Sequence, residues 1–195
     1  MAATAVVLPQ SPEGFCSRMD IPPILSRREL HKNRFLTFVE EDLLDRHGKP
    51  YTYYQVESKW DAVVVVPRLA DGRLVVERIY RHPYRAWMHE FPAGGIDPGE
   101  NPLDAARREL GEETGYGAGS VKLLGRHEAM PGLLRMRLHF VLATDLVPNA
   151  VPRAHEAMEM LTVEEMTSAQ AWAIADQEGP VSSFLTLGLL YLGRA

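Results

Sequence analysis

Residues 94–116 read GGIDPGENPLDAARRELGEETGY, and this stretch decides how the rest of the chain is interpreted. Asn101 can cap a helix through its side chain, and Pro102 suits the first helical position. Gly115 suits the left-handed conformation in which many helices end. The stretch therefore predicts a helix over residues 102–114, preceded by a loop rich in glycine and proline.

The predicted helix collects acidic side chains on one side. Glu109, Glu112 and Glu113 stand at i, i+3 and i+4, so they fall on one arc beside an apolar face that carries Leu110. The last turn disfavours negative charge by about 0.3–1 kcal/mol per residue, and stability alone would place Lys or Arg there. Three clustered carboxylates are explained if a divalent cation neutralises them, and Arg108 can orient Glu112. Taken without its flanks, the helix could equally be a solvated charged helix with a glycine cap.

The whole stretch has the spacing G-x5-E-x7-R-E-hydrophobic-x-E-E-x-G-hydrophobic, which runs from Gly94 to Tyr116. This spacing resembles the Nudix box of nucleoside-diphosphate-X hydrolases, with Tyr116 where an aliphatic residue is usual. Outside the box, residues 78–81 (RIYR), residues 90–94 (EFPAG) and Pro131 resemble the ADP-ribose pyrophosphatase branch of that family. The resemblance extends over about residues 28–178.

Two positions depart from that branch. Met130 precedes Pro131 where Ser is usual, and Met136 stands where a Glu is usual. Arg135 and Arg137 add positive charge beside it. The departures are compatible with a nucleoside diphosphate substrate but leave ADP-ribose itself open. GDP- or UDP-sugars, dinucleoside polyphosphates and oxidised nucleotides are the alternatives.

Composition argues against several functional classes. The 195 residues carry a formal net charge of −5 with scattered basic residues, which is unlike a nucleic-acid-binding or membrane-surface protein. Cys16 is the single cysteine, so an intrachain disulfide and a thiolate metal site are excluded. No apolar run approaches the ~20 residues of a membrane span, and residues 1–10 lack the basic start of a signal peptide. A cytoplasmic location is the expectation.

The pattern along the chain predicts an α+β fold. Residues 1 to about 22 are rich in Pro, Ser and Gly and are expected to be loose. Strands are predicted at residues 35–44, 51–56, 60–67, 74–80, 87–91, 121–127, 138–143 and 158–163. The other predicted helices are 163–176, with a cap at Thr162 and Glu165 following, and 180–192. This order predicts a mixed sheet between helical layers. The resemblance to the Nudix family implies the same, with an N-terminal strand segment (1–57) before a Nudix-like α/β/α sandwich domain (58–195).

The family resemblance implies metal-dependent hydrolysis of a pyrophosphate bond, with ADP-ribose giving AMP and ribose 5-phosphate. It assigns metal binding to Glu109, Glu112, Glu113 and the Ala93 carbonyl, with Arg108 orienting Glu112 and Glu100 supporting the loop. Mg²⁺ or Mn²⁺ suits carboxylate ligands, whereas the seven histidines are dispersed. The expected substrate contacts are Arg81, Arg85, Trp87, Glu90, Pro131 and Gly132. Glu156, or with less preference Glu159, is the expected general base, and the N-terminal strands are expected to build a homodimer.

Other interpretations stay open. Arg81 or Arg85 could be a surface ion-pair partner, and Trp87 and Phe91 could belong to the core, Phe91 more readily. Glu156 could be an ordinary exposed glutamate, and residues 130–134 an interface or lid patch. A module that senses nucleotides without chemistry would be expected to lack box glutamates, and all four are present. A structural or partner-binding protein would depend on the apolar helix 184–192, which is more simply a core or dimer-packing helix.

Overall fold

The computed structural model describes residues 21–150, 152–154 and 160–195. The chain forms two compact units. One contains the residues up to Lys59 together with Gly132–Arg135, and the other contains Trp60–Pro131 and Met136–Ala195. The expectations for Cys16 and residues 1–20 lie outside the described residues.

The secondary structure follows the predicted order. The strands are β1 Ile24–Lys32, β2 Leu36–Leu44, β3 Pro50–Ser58, β4 Ala62–Pro67, β5 Leu74–Arg81, β6 Ala86–Glu90, β7 Ala93–Gly95, β8 Gly117–Met130, β9 Leu134–Val147 and β10 Leu161–Met166. The helices are α1 Pro102–Thr114, α2 Ser168–Ala175 and α3 Ser183–Leu192. Strands β1 and β7 were not predicted. The first is a largely exposed charged segment without apolar alternation, and the second is only three residues long.

The N-terminal unit is an antiparallel meander of β1, β2 and β3. The predicted turn at residues 46–50 joins β2 to β3, with Gly48 at a φ of 73°. Along β2, Thr37, Val39 and Glu41 are buried while the residues between them are partly exposed, which is the alternation expected of a strand covered on one face. The first residues of β9, Leu134 and Arg135, pair in parallel with β3.

The second unit contains a mixed sheet in which β4 lies between β9, which runs parallel, and β7, which runs antiparallel. The valine run of β4 is fully buried, as the sequence predicts, because both of its faces are covered. Val63 and Val65 pack in one core cluster with Leu110 of α1. The alternate residues Val64 and Val66 pack in another with Leu185 and Leu189 of α3. Helices therefore cover both faces of the sheet, and the α+β sandwich is confirmed.

A second, antiparallel sheet has the order β10-β5-β6. The Asp71-Gly72 signal does make a turn, with Gly72 at a φ of 88°, but the returning strand does not form a hairpin ladder with β4. Only an isolated bridge joins Arg68 to Leu74. Strand β5 pairs instead with β6 and with β10, which is distant in sequence.

The predicted start of the penultimate helix is wrong. Residues 163–166 belong to β10, and α2 begins at Ser168 with a capping box between Thr167 and Gln170. Thr162 lies within β10 opposite Arg78 of β5, so pairing with a distant strand overrides the local cap signal. Within the described ranges, no helix is long and apolar enough to span a bilayer.

Candidate active site

Helix α1 begins and ends where the sequence predicts. The Asn101 side chain accepts from the Leu103 N–H at 2.8 Å, Pro102 is the first helical residue, and Gly115 adopts a left-handed φ of 80°. The apolar side, which includes Leu110, is buried against β4. This packing fixes the helix and leaves its acidic arc beside the loop that precedes it. Glu109 and Glu113 are buried, and Glu112 is half-buried.

Arg108 is the centre of the acidic arc. It donates to both carboxylate oxygens of Glu100, at 3.0 and 2.8 Å. The same guanidinium donates to Glu109 at 2.7 Å, to Glu112 at 3.3 Å and to the Gly95 carbonyl at 2.8 Å. The hydrogen bonds to Glu100 raise the pKa of Arg108 and lower the pKa of Glu100, so both groups are charged at neutral pH. The Arg108 guanidinium thus connects the loop before α1, through the Gly95 carbonyl and Glu100, with Glu109 and Glu112 on the helix.

The two buried glutamates lie against the backbone of β7. A β-carbon at Gly94 would lie 2.1 Å from Cδ of Glu109, so a side chain at this position would displace that carboxylate from its place against β7. Glu113 accepts from the Ala93 N–H at 2.9 Å. Strand β7 is held by antiparallel pairing to β4, with Val63 opposite Gly94. The core strand therefore sets the distance between the loop backbone and the helix carboxylates.

The donors around α1 fit a hard divalent cation in their chemistry, because they are carboxylate and carbonyl oxygens and not thiolates or imidazoles. The candidates are the three arc glutamates and the Ala93 carbonyl. In the part of the chain that is described, however, no three His, Cys, Asp or Glu side chains stand as a ready metal site. The carboxylates contact Arg108 and the β7 backbone instead. A bound ion would therefore compete with Arg108 for Glu109 and Glu112.

Arg81 and Glu90 form a bidentate ion pair across β5 and β6, with distances of 3.0 and 2.6 Å. Glu90 is buried and the Arg81 side chain is 37% exposed, so Arg81 is an ion-pair partner, as one interpretation of the sequence allowed, but of a buried carboxylate. The hydrogen bonds from Arg81 to Glu90 raise the pKa of Arg81, and the charges of Glu113 and Glu77 act in the same direction. Electrostatics thus connects Arg81 with the acidic arc of α1.

Glu77 was not singled out from the sequence. It is buried in β5 directly opposite Glu90 of β6, and its charge acts on Arg81. The only local signal is a glutamate that follows Leu74-Val75-Val76 in a strand that is otherwise apolar at its start. A buried acid in an apolar strand is uncommon enough to mark a candidate position.

Arg81 and Glu90 line a cleft of about 350 Å³. The turn after β5 contributes Pro83 and Tyr84, and the start of α3 contributes Ser182, Ser183 and Phe184. The remaining lining residues are Met88 and Val181. The cleft thus combines one cation, one buried acid and several apolar or hydroxyl side chains, a composition suited to a small polar ligand.

The other expected substrate contacts lie outside this cleft. Arg85 is exposed in the turn after β5 with a φ of 50°, and Trp87 is 47% exposed with the Arg78 guanidinium 5.4 Å from its ring. Pro131 is exposed in the second unit. Gly132 belongs to the N-terminal unit, where its carbonyl accepts from the Tyr53 hydroxyl at 2.6 Å. Of the expected contacts, the cleft therefore brings together Arg81 and Glu90 alone.

The remaining residues singled out from the sequence lie in different environments. Phe91 is fully buried core, as preferred from the sequence. Met130 is 53% exposed, whereas Met136 packs against the core of the second unit. Glu156 and Glu159, the candidate bases, lie outside the described residues.

Comparison with known proteins places this site in a family. The chain is 31% identical over 131 residues to the ADP compounds hydrolase NudE of Escherichia coli, covering 67% of this chain and 70% of that protein. It is 24% identical to the ADP-ribose pyrophosphatase of Bacillus subtilis, covering 86% of this chain and 90% of that one. A crystal structure of an ADP compounds hydrolase superposes with a TM-score of 0.81 at 26% identity, covering 92% and 96% of the two chains. The NUDIX domain family matches residues 58–181, and the chain belongs to that family.

Proposed function

We propose that this Nudix pyrophosphohydrolase cleaves the pyrophosphate of a nucleoside diphosphate linked to a sugar, with ADP-ribose as the leading substrate. The products would be AMP and ribose 5-phosphate. The observation that carries the proposal is the acidic arc of α1, held against the β7 backbone by Arg108 and Gly94. The similarity to proteins named ADP-ribose pyrophosphatase and ADP compounds hydrolase supports the choice of substrate.

The charge of the substrate explains why such an arc is useful. A pyrophosphate linkage carries two anionic phosphates that repel a nucleophile. Nudix hydrolases generally use a divalent metal ion, and we propose Mg²⁺ or Mn²⁺ because the donors are carboxylates. When bound, such an ion screens the phosphate charge, polarises the phosphoryl oxygens and lowers the pKa of the attacking water.

The residues of the chain have separate parts in this proposal. Glu109, Glu112 and Glu113, with the Ala93 carbonyl, hold the ion, while Arg108 keeps Glu109 and Glu112 in place. A bound ion would compete with Arg108 for Glu109 and Glu112, and Arg108 would still have its two hydrogen bonds to Glu100.

The substrate is bound by a second group of residues. Arg81 presents a fixed fork to a phosphate, because Glu90 already holds its guanidinium. Glu156, with Glu159 as the alternative, remains the proposed general base. Arg85, Trp87, Pro131 and Gly132 remain proposed substrate contacts.

A substrate panel tests the proposal. The full chain is incubated with ADP-ribose, GDP-mannose, UDP-glucose, diadenosine polyphosphates and 8-oxo-dGTP, each with Mg²⁺, with Mn²⁺ and with EDTA, and the nucleotide products are quantified. We expect ADP-ribose to be the best substrate and EDTA to stop turnover. Because Met130 and Met136 depart from the ADP-ribose branch, a higher kcat/KM for another sugar nucleotide would move the substrate assignment while keeping the reaction. Turnover of none of these compounds would contradict the proposed function.

Three further proposals concern the whole protein. We propose a homodimer built by the N-terminal strand segment 1–57, which sedimentation of the full chain and of a variant lacking that segment would test. We propose that residues 58–195 form the catalytic domain. We also propose a cytoplasmic location, supported by the single cysteine and tested by cell fractionation.

A further inference from the structure

The carboxyl-terminal end of α1 carries two acidic residues and no basic one. Glu112 and Glu113 lie in the last turn, where the helix dipole is negative, and that turn contains no basic residue. The last carbonyls of a helix also lack partners within the helix. A helix that ends in this way is stabilised by donors and positive charge from elsewhere in the chain.

Ala150, Arg153 and Ala154 supply these groups. The Ala154 N–H donates to the Glu112 carbonyl at 2.9 Å, and the Ala150 N–H donates to the Gly115 carbonyl at 3.0 Å. Arg153, 39 residues beyond Thr114, donates from Nε to the Thr114 carbonyl at 3.1 Å. Two backbone donors and one cationic side chain therefore cap the end of the acidic helix.

The backbone on the other side is shaped for this contact. Gly117 begins β8 just after the helix, and a β-carbon there would lie 2.9 Å from Cβ of Ala150. That distance is shorter than real β-carbon contacts. Any residue other than glycine at position 117 would therefore require Ala150 to shift away. Asn149, at the preceding position, adopts a φ of 53°, a conformation that Asn tolerates better than most residues. Gly117 on one side and Asn149 on the other thus both favour the close contact between the end of α1 and Ala150.

We propose that Arg153 is a positioning residue for the carboxylates of α1. Its guanidinium supplies the positive charge that the last turn lacks, and its hydrogen bond fixes the backbone from which Glu112 and Glu113 project. The inference rests on the proposed function, because a fixed helix end affects metal binding only if these two residues are ligands.

Mn²⁺ titration, followed by the electron paramagnetic resonance signal of the free ion, tests the inference. Removal of a positive charge near a cation site would by itself strengthen Mn²⁺ binding. A positioning role predicts the opposite, so Arg153→Ala should bind Mn²⁺ about three- to tenfold more weakly, in line with the loss of a charge-assisted cap. Arg153→Lys retains the charge and a donor and should recover most of the affinity. Saturating Mn²⁺ should restore the kcat of Arg153→Ala.

Arg107→Ala is the matched control. Arg107 is exposed on the same helix, 3.9 Å from Asp104 and away from the carboxyl end, so this variant loses the same charge without loss of a cap. Its Mn²⁺ affinity should equal or slightly exceed that of the wild type. Thermal unfolding in EDTA establishes that each variant is folded.

Two outcomes separate the role of Arg153 from the existence of the metal site. If Arg153→Ala binds Mn²⁺ as tightly as Arg107→Ala while Glu112→Gln loses binding, Arg153 does not position the carboxylates and the inference fails. If Glu112→Gln binds Mn²⁺ like the wild type, the proposed metal site itself is wrong.

Discussion

Two networks of arginine and glutamate, one in each unit, differ in their balance of charge. In the N-terminal unit, Arg27 pairs with Glu41 at 2.9 Å and Glu57 at 2.8 Å, and Arg135 approaches Glu57 at 3.3 Å. Two guanidinium groups there face two carboxylates. On α1, Arg108 alone contacts three carboxylates. We call the first network balanced, because these contacts match two guanidinium groups with two carboxylates. We call the second unbalanced, because in these contacts one guanidinium faces three carboxylates, the kind of oxygen donor that a divalent cation prefers.

The largest effect is expected for Glu112→Gln in the unbalanced network. The amide keeps the shape of the side chain but removes a charged ligand, so AMP release from ADP-ribose should fall by about 100-fold or more. The free energy of unfolding in EDTA should change little, because Glu112 is half-buried and makes a single 3.3 Å contact with Arg108. A variant that retained wild-type turnover would remove Glu112 from the site.

Arg108→Gln tests whether the carboxylates of Glu100, Glu109 and Glu112 repel one another when the guanidinium that contacts all three is lost. We expect the free energy of unfolding in EDTA to fall by about 1.5–3 kcal/mol, the range for hydrogen bonds to charged groups. Because a cation can replace the missing charge, added Mg²⁺ should stabilise this variant more than the wild type. Urea denaturation of both proteins with and without Mg²⁺ gives the comparison. Equal stabilisation of the two proteins would argue that no ion binds beside Arg108.

Glu57→Gln replaces a carboxylate by an amide in the balanced network, as Glu112→Gln does in the unbalanced one. Because the Arg27 and Arg135 side chains are 39% and 71% exposed, solvent screens the pairs and the loss should be about 0.5–1 kcal/mol of stability. Turnover by the folded enzyme should stay within about twofold of the wild type, measured with ADP-ribose and Mg²⁺. A loss of activity like that of Glu112→Gln would remove the functional distinction between the two networks.

The smallest effect is expected at His139, which belongs to neither network. Burial lowers its pKa, while Asp61, 3.7 Å away, acts in the opposite direction and Arg126 and Arg137 reinforce the lowering. The unfolded chain, with an ordinary value near 6.5, therefore binds more protons than the folded one just below that pH. The stability due to neutral His139 is present above about pH 6.5 and is lost as pH falls through the folded value.

His139→Gln should therefore flatten the dependence of unfolding free energy on pH between about 7 and 5, measured by urea denaturation. His31→Gln, at an exposed position of β1, is the control and should keep the wild-type slope. If His139→Gln also kept that slope, His139 would not contribute to acid sensitivity.

The parts of the fold that the sequence predicts are those set by local or repeated signals. Asn101, Pro102 and Gly115 define both ends of α1 because caps act over one turn. The run of valines in β4 predicts a strand buried on both faces, and it is one. The start of α2 could not be read in this way, because Thr162 and Thr167 both have a cap spacing. Pairing between β10 and β5 decides between them.

The candidate site shows the same limit. The spacing of the glutamates on α1 follows from helical geometry, so the acidic arc could be predicted. The pairing of Arg81 with Glu90 depends on the register of β5 and β6, which no local pattern specifies. The donation from Arg153 to Thr114 joins residues 39 positions apart and is likewise invisible to periodicity.

The most direct test of the account is a crystal of the protein soaked with Mn²⁺ and a non-hydrolysable ADP-ribose analogue, with diffraction recorded at the manganese absorption edge. We expect an anomalous peak within coordination distance of the Glu109, Glu112 and Glu113 carboxylates, with Arg108 still bound to Glu100. A nucleotide in the cleft with no manganese among these carboxylates would contradict it.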